Sequence, residues 1–189
     1  MNTFSEKEIH HIVKNLDYSL RQLKAKFVLL VSDQASEGKS SFLSACSPLL
    51  ADIYQRKVLI YDCQNEREDL LETELGTISD NGQFIRSTSI PGLEYLHQDD
   101  LDFIRLAPEN ERLHLTTNHL TEIAKDYDVV FINMKTLKRA SKTTIPALPI
   151  DGAIIIRSSK SLRANERPVT SELLDREIPI LGLVFNEGR

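Results

Sequence analysis

The stretch FVLLVSDQASEGKSS, residues 27–41, joins an apolar run to a glycine, a lysine and two serines. The run predicts a buried β-strand, and an apolar helical pattern follows the loop. A phosphate-binding loop in its common form has Gly, four residues, Gly, Lys, and then Ser or Thr. Gly38, Lys39 and Ser40 match the end of this pattern, whereas Asp33 stands at the place of the first glycine. The stretch therefore predicts a strand, a loop that could hold phosphate, and a helix.

The residues after the predicted strand suit an anion site. Backbone amides at the start of a helix and the positive end of its dipole attract phosphate. Lys39 would neutralise the outer phosphates, and the hydroxyl of Ser40 could reach a bound Mg²⁺. The alternative is a plain turn with a solvated lysine, but the position between a strand and an apolar helix favours the phosphate loop. We expect nucleotide contacts from Ser36, Glu37, Gly38, Lys39, Ser40 and Ser41.

Short apolar runs rich in Val and Ile recur along the chain, as in parallel strands buried on both faces. Helical patterns at 39–56 and 163–177 lie between some of them, with a bend expected near Pro48 and a helix start near Pro168. Repeated βαβ units predict an α/β fold, a three-layer doubly wound and mostly parallel sheet like that of P-loop NTPases. The predicted strands occupy residues 26–32, 57–62, 128–133, 152–157 and 179–186.

The length of 189 residues predicts one domain spanning residues 1–189. Residues 5–24 carry an apolar stripe at helical spacing, so this N-terminal helix should pack on the domain or on a neighbouring subunit. Residues 64–112 give the weakest pattern, although PGLEYLHQ within them predicts one more strand.

Composition excludes several classes of function. A net charge of -5 with interspersed signs gives no reason to expect binding to nucleic acid or to an anionic membrane. No apolar run approaches the roughly 20 residues that span a bilayer, so we expect no direct membrane insertion. Cys46 and Cys63 lie in apolar stretches without paired spacing, which favours a reducing, cytoplasmic location.

Residues 27–64 resemble the nucleotide-binding region of the bacterial tyrosine kinases (BY-kinases). These kinases are a branch of the deviant Walker P-loop ATPases, which also include partition and division-site ATPases. The kinase loop usually lacks the opening glycine and carries Glu-Gly-Lys-Ser/Thr, which Glu37 to Ser40 match. The partition branch has a second lysine early in the loop, where this chain has Gln34. The kinase branch is therefore the closer match.

The resemblance extends to the later strands. YDVVFIN resembles the family's third motif, IDGAIIIR the strand after it, and ILGLVFN the last strand. In relatives the final asparagine of that strand lies beside the adenine, and this implies the same role for Asn186. Near the start, Glu8, His11 and Lys14 weakly match a Glu-x-x-Arg-x-x-Arg helix used for subunit contacts. A homo-oligomer is thus a further expectation, with a solvated helix face as the alternative.

The metal and base positions depart from the family pattern. Relatives carry Asp-x-Asp on the second strand and an aspartate at the end of the third motif, whereas this chain has Asp62, Gln64 and Asn133 there. Neither amide brings the negative charge that Mg²⁺ prefers, and neither accepts a proton near neutral pH. Asp62 and Lys39 stay the candidate catalytic residues, and Ser40 and Asp62 the candidate ligands of a weak Mg²⁺ site. Metal-assisted phosphoryl transfer should be badly weakened.

The resemblance implies a cytoplasmic pseudokinase that binds ATP or ADP weakly, or has lost that binding and serves as a docking module, and that acts as a regulatory or scaffold protein of exopolysaccharide or capsule biosynthesis. Its expected partner is a membrane-bound polysaccharide co-polymerase or export protein, through which it would be peripheral at the inner membrane. One alternative is an active ATPase or tyrosine autokinase with a reduced metal site. The second is a partition-type positioning ATPase.

Overall fold

The computed structural model describes residues 4–32, 38–63, 85–101, 106–134, 149–158 and 169–186. Four helices and seven strands lie within these ranges. The helices are α1 (Glu6–Leu23), α2 (Lys39–Asp52), α3 (Glu109–Ile123) and α4 (Val169–Asp175). The strands are β1 (Phe27–Ser32), β2 (Val58–Asp62), β3 (Arg86–Ser87), β4 (Leu93–His97), β5 (Val129–Asn133), β6 (Gly152–Ser158) and β7 (Ile180–Asn186).

The strands form one sheet in the order β3-β4-β2-β5-β1-β6-β7. All neighbouring pairs are parallel except β3 and β4. Each of the five strands predicted from apolar runs is present, with ends within one residue of the prediction. The strand expected in PGLEYLHQ is β4. The mostly parallel α/β sheet is therefore confirmed.

Helices cover both faces of the sheet. On one face, α1 and α2 pack against alternate residues of the central strands, including Val28 and Leu30 of β1. On the other face, Leu120 of α3 and Leu173 of α4 pack against a second set that includes Leu29. The side chains of β1 point alternately to the two faces, so its whole length is apolar and buried. The predicted three-layer arrangement is confirmed.

Two aspartates hold the amino-terminal ends of neighbouring strands together. Oδ2 of Asp151 accepts hydrogen bonds from the backbone amides of Lys26 (2.7 Å) and Phe27 (2.8 Å). Oδ2 of Asp128 likewise accepts one from the amide of Lys57 at 2.8 Å. These bonds satisfy amides at the entries of β1 and β2, and so help to fix where the strands start.

The N-terminal helix lies where residues 5–24 predicted it. Ser5 and Glu8 form a capping box, in which the Ser5 amide donates to the Glu8 carboxylate at 2.9 Å. Helix α2 continues through Pro48, and the bend expected there stays a prediction. The helix predicted near Pro168 is α4, which is described from Val169.

Two expectations from the sequence were incomplete. Strand β7 is not buried on both faces: it pairs with β6 alone in the described part of the chain, and Leu183 and Phe185 remain 45% and 50% exposed. An apolar run does not distinguish an edge strand from a central one. Helix α3 was not predicted, because its sequence is largely polar and gives little apolar periodicity.

Leu29 tests the central position of β1. The substitution Leu29→Ala should lower the free energy of unfolding by about 2 to 5 kcal/mol, because it leaves a cavity among fully buried residues. Urea denaturation followed by circular dichroism measures the change. Leu23→Ala makes the same substitution at an exposed site at the end of α1 and should cost less than about 0.5 kcal/mol. Equal losses in the two variants would contradict the described core.

Candidate nucleotide site at the carboxyl edge of the sheet

Polar side chains end four of the parallel strands. Ser32 ends β1, Asp62 ends β2, Asn133 ends β5 and Asn186 ends β7. All four are buried, which is unusual for such residue types. The carboxyl ends of parallel strands meet at one edge of the sheet, where open α/β folds bind their ligands. The sequence therefore concentrates its buried polar groups at that edge.

Lys39, the first residue of α2, is held at the end of β1. Its side chain is only 3% exposed, and its Nζ donates a hydrogen bond to Oγ of Ser32 at 2.7 Å. Gly38 precedes it with φ 93°, a left-handed conformation that favours glycine. A buried ammonium at the start of a 14-residue helix adds to the positive field of the helix dipole. This arrangement attracts a phosphate-bearing anion.

Asn186 approaches the loop closely from the last strand. A Cβ placed on Gly38 would lie 2.2 Å from Nδ2 of Asn186, a distance that no real pair of atoms tolerates. The left-handed backbone conformation favours glycine at position 38, and a larger residue there would also have to displace the side chain of Asn186. The structure brings Asn186 beside the phosphate loop, as its expected role near a nucleotide requires, although that role itself stays a prediction.

The carboxylate of Asp62 is held between two neutral side chains. The hydroxyl of Tyr95 on β4 donates to Oδ2 at 3.1 Å, and Nδ2 of Asn133 on β5 donates to Oδ1 at 3.2 Å. The backbone of β5 joins the same cluster, because the amide of Cys63 donates to the Asn133 carbonyl at 2.9 Å. Oδ1 of Asn133 is buried and has no hydrogen-bond partner among the described residues. That oxygen can accept a hydrogen bond from a ligand or from water.

The described residues at this edge of the sheet offer few ligands to Mg²⁺. The described residues contain no group of three or more His, Cys, Asp or Glu side chains that could hold a metal ion. At the strand ends, Asp62 supplies a single carboxylate, and both of its oxygens already accept hydrogen bonds. Mg²⁺ prefers carboxylate oxygens in near-octahedral geometry. Among the described residues, Lys39 and the start of α2 favour an anion, and Asp62 brings one carboxylate to the strand ends.

The predicted site residues meet at this edge so far as the structure describes them. Ser40 and Ser41 lie in the first turn of α2, next to Lys39. Ser36, Glu37 and Gln64 fall outside the described residues, so their expected contacts are untested. The individual roles of all these residues remain predictions.

The sequence alone did not identify Tyr95 as a residue of this site. The residue is fully buried, but its hydroxyl reaches the carboxylate of Asp62 from the neighbouring strand. One signal was available: a buried tyrosine usually needs a hydrogen-bond partner for its hydroxyl. His97, the residue opposite Asp62 in the ladder, is also fully buried, and its Nδ1 accepts from the Asp99 amide at 3.1 Å.

A parallel sheet with a phosphate-loop lysine after its first strand defines the P-loop NTPase class of fold. Within that class, the chain is similar to the chimerical protein CapA2B2, with a TM-score of 0.71 and 17% identity over 95% of this chain and 83% of the other. It is also similar to the kinase domain of the Escherichia coli tyrosine kinase ETK, with a TM-score of 0.66 and 12% identity over 95% and 74% of the two chains. The resemblance to bacterial tyrosine kinases is thus confirmed at the level of the fold.

A more distant similarity concerns a nucleotide-binding protein from Archaeoglobus fulgidus in complex with ADP. The TM-score is 0.54 and the identity 17%, over 90% of this chain and 70% of the other. No protein-family model matches the chain, and no curated protein is significantly similar to it in sequence. No helix in the described residues is long and apolar enough to cross a membrane.

Tyr95→Phe tests the hydrogen bond to Asp62. Removing the hydroxyl leaves a buried carboxylate with one donor fewer, so the free energy of unfolding should fall by about 1 to 3 kcal/mol. Chemical denaturation at neutral pH measures this. Tyr18→Phe removes a hydroxyl from an exposed tyrosine and should leave stability unchanged. If Tyr95→Phe were as stable as the unchanged protein, Tyr95 would have no part in holding Asp62.

Proposed function

We propose that this protein is a nucleotide-binding pseudokinase of the bacterial tyrosine kinase type, with a regulatory or scaffold role in exopolysaccharide or capsule biosynthesis and export. One observation carries the proposal. The amide of Asn133 donates to the carboxylate of Asp62 at the place where related kinases are expected to use a second carboxylate. In this proposal the chain keeps the lysine that binds phosphate in related kinases, and a neutral asparagine stands where those kinases have a metal-binding carboxylate.

The binding part of the proposal rests on Lys39. Its buried ammonium, the helix start and the left-handed Gly38 together provide positive charge and backbone freedom at one point. ATP or ADP would place its phosphates there and its base toward Asn186. This assignment agrees with the ADP complex known for the similar nucleotide-binding protein.

The loss of catalysis follows from charge. Phosphoryl transfer depends on metal ions that neutralise the charge developing on the phosphates, and on a group that positions or deprotonates the acceptor. Asp62 is the carboxylate that remains at the strand ends, and its oxygens are engaged by Tyr95 and Asn133. Asn133 cannot act as a base. We therefore infer very weak ATPase or kinase activity, or none.

The proposed partner comes from the resemblance. A membrane-bound polysaccharide co-polymerase or export protein would hold the domain, residues 1–189, at the inner membrane. Contacts between subunits would use α1, where His11 and Lys14 stand in place of two arginines of the family motif. A scaffold role predicts that nucleotide and partner bind independently.

An active ATPase or autokinase is the second candidate. It is favoured by the fact that Lys39 and Asp62 are both buried at the same edge of the sheet, where an active enzyme would need them. In that case Asp62 alone would support slow, Mg²⁺-dependent turnover. The two experiments below separate this candidate from the pseudokinase.

Calorimetric titration with ATP and with ADP, each with Mg²⁺ and with EDTA, tests nucleotide binding. We expect binding whose affinity changes less than about threefold with Mg²⁺, because the loop rather than a metal holds the phosphates. Lys39→Met should weaken it about 10- to 100-fold by removing a charge-assisted hydrogen bond. Lys7→Met, an exposed lysine on α1, is the matched control and should bind normally.

The same titration can contradict the proposal in two ways. Absence of binding at millimolar nucleotide would mean that the loop is an ordinary turn between a strand and a helix that does not hold phosphate. Binding that requires Mg²⁺, together with phosphate added to tyrosine and detected by mass spectrometry, would establish the active enzyme instead.

Asn133→Asp tests whether a second carboxylate beside Asp62 creates a Mg²⁺ site. The new carboxylate would lie about 3 Å from that of Asp62, so the two buried like charges should lower the thermal midpoint in EDTA. Mg²⁺ should restore the midpoint in the variant by bridging the two groups, and should hardly affect the unchanged protein. Asn118→Asp on the exposed face of α3 controls for the added charge. An equal response to Mg²⁺ in the unchanged protein and the Asn133→Asp variant would refute the argument.

A further inference from the structure

A pocket of about 190 Å³ opens at the amino-terminal ends of β1 and β5, at the opposite end of the sheet from Asp62. The C-terminus of α1 and the segment that leads into β2 form its walls. Its lining includes four cationic side chains, Arg21, Lys24, Lys26 and Arg56, and one acidic one, Asp128. The sequence did not predict this cluster.

The two arginines of the pocket share one carboxylate. Nε of Arg21 lies 2.9 Å from Oδ2 of Asp17, and Nε of Arg56 lies 2.8 Å from Oδ1. Asp17 is almost fully buried, so its negative charge interacts mainly with these two arginines. One aspartate compensates one arginine, and the triad therefore leaves one positive charge at the pocket wall.

The remaining cations add to this excess. Lys24 is exposed at the pocket rim and forms no ion pair with the described residues. Nζ of Lys26 donates to the carbonyl of Ala124 at 2.6 Å, a contact that leaves its charge uncompensated. Asp128 is the one further carboxylate in the lining. In the lining together with Asp17, four positive and two negative side chains leave an excess of two positive charges, and a third carboxylate, Asp151, accepts from the backbone amide of Lys26.

The carbonyl groups at the end of α1 do not cancel this charge. The carbonyls of Leu20 and Arg21 already accept hydrogen bonds from the amides of Lys24 and Ala25. Lys24 has φ 50°, the left-handed conformation that ends many helices and allows these bonds. The backbone of α1 thus closes its own last turn, and Arg21 and Lys24 line the pocket.

We propose that this pocket binds a small phosphate-bearing anion, at a site separate from the nucleotide loop. Arginine guanidinium groups match phosphate oxygens in paired hydrogen bonds, and lysine adds point charge. A water molecule occupies about 30 Å³ in the liquid, so the pocket has room for a phosphoryl group together with a small organic part or bound waters. The ligand class is a phosphate monoester or inorganic phosphate. The site is independent of the proposed function.

Amide chemical-shift mapping with the full ¹⁵N-labelled chain tests this site. The probes are inorganic phosphate and glycerol phosphate, each titrated into the unchanged protein and into Lys39→Met. We expect saturable shifts at Lys24, Ala25 and Arg56 in both proteins, because the pocket does not depend on the loop. Stronger binding of glycerol phosphate would identify an organic ester as the ligand, and equal binding would identify the free anion.

The double variant Arg21→Gln/Lys24→Gln should weaken these shifts about tenfold or more, since it removes two of the four cationic groups. Lys7→Gln on the same helix is the matched control and should bind as the unchanged protein does. Shifts confined to the loop and lost in Lys39→Met would overturn the proposal. Equal affinity in the double variant would also overturn it, as would the absence of saturation with either probe up to about 10 mM, tenfold above a Kd of about 1 mM.

Discussion

The hydrogen bonds to the carboxylate of Asp62 constrain the whole carboxyl edge of the sheet. They connect three adjacent strands, because Tyr95 comes from β4, Asp62 from β2 and Asn133 from β5. A buried carboxylate without partners would cost several kcal/mol, so these two donors must keep their places for the strands to end where they do.

The same cluster explains why the site can be stable without a metal. Two carboxylates about 3 Å apart would repel one another unless a cation lay between them. An amide at position 133 removes the repulsion and supplies a donor to the remaining carboxylate. An amide in place of a carboxylate gives no such repulsion, and Asn133 brings no negative charge to this edge of the sheet.

The sequence predicted the strands well and the connections between side chains poorly. Central parallel strands are apolar on both faces, so VLLV in β1 and IYD at the end of β2 gave clear patterns. Edge strand β7 has the same composition, and burial on only one of its faces follows from its place in the sheet order. Helix α3 was missed because its apolar periodicity is weak.

Some residues of the candidate site could be predicted from the sequence, and others could not. Lys39, Asp62 and Asn133 could be predicted because each stands at the end of a strand or the start of a helix, where local pattern and motif coincide. Tyr95 could not, because its hydroxyl meets Asp62 only when β4 lies next to β2, and no local pattern gives that order.

The basic pocket could not be predicted from the sequence either, because it is formed by residues from several separate segments. Its cations come from α1, from the segment after α1 and from the entry to β2, and each alone looks like an ordinary surface charge on a chain of net charge -5. Only the fold brings them around one cavity, and only the sharing of Asp17 by two arginines shows that their charges are not all compensated. Positive charge thus collects at both ends of the sheet, on Lys39 at one end and on this pocket at the other. An anion at the second end would bind to the arginines and lysines of the pocket, which outnumber the neighbouring carboxylates Asp17 and Asp128.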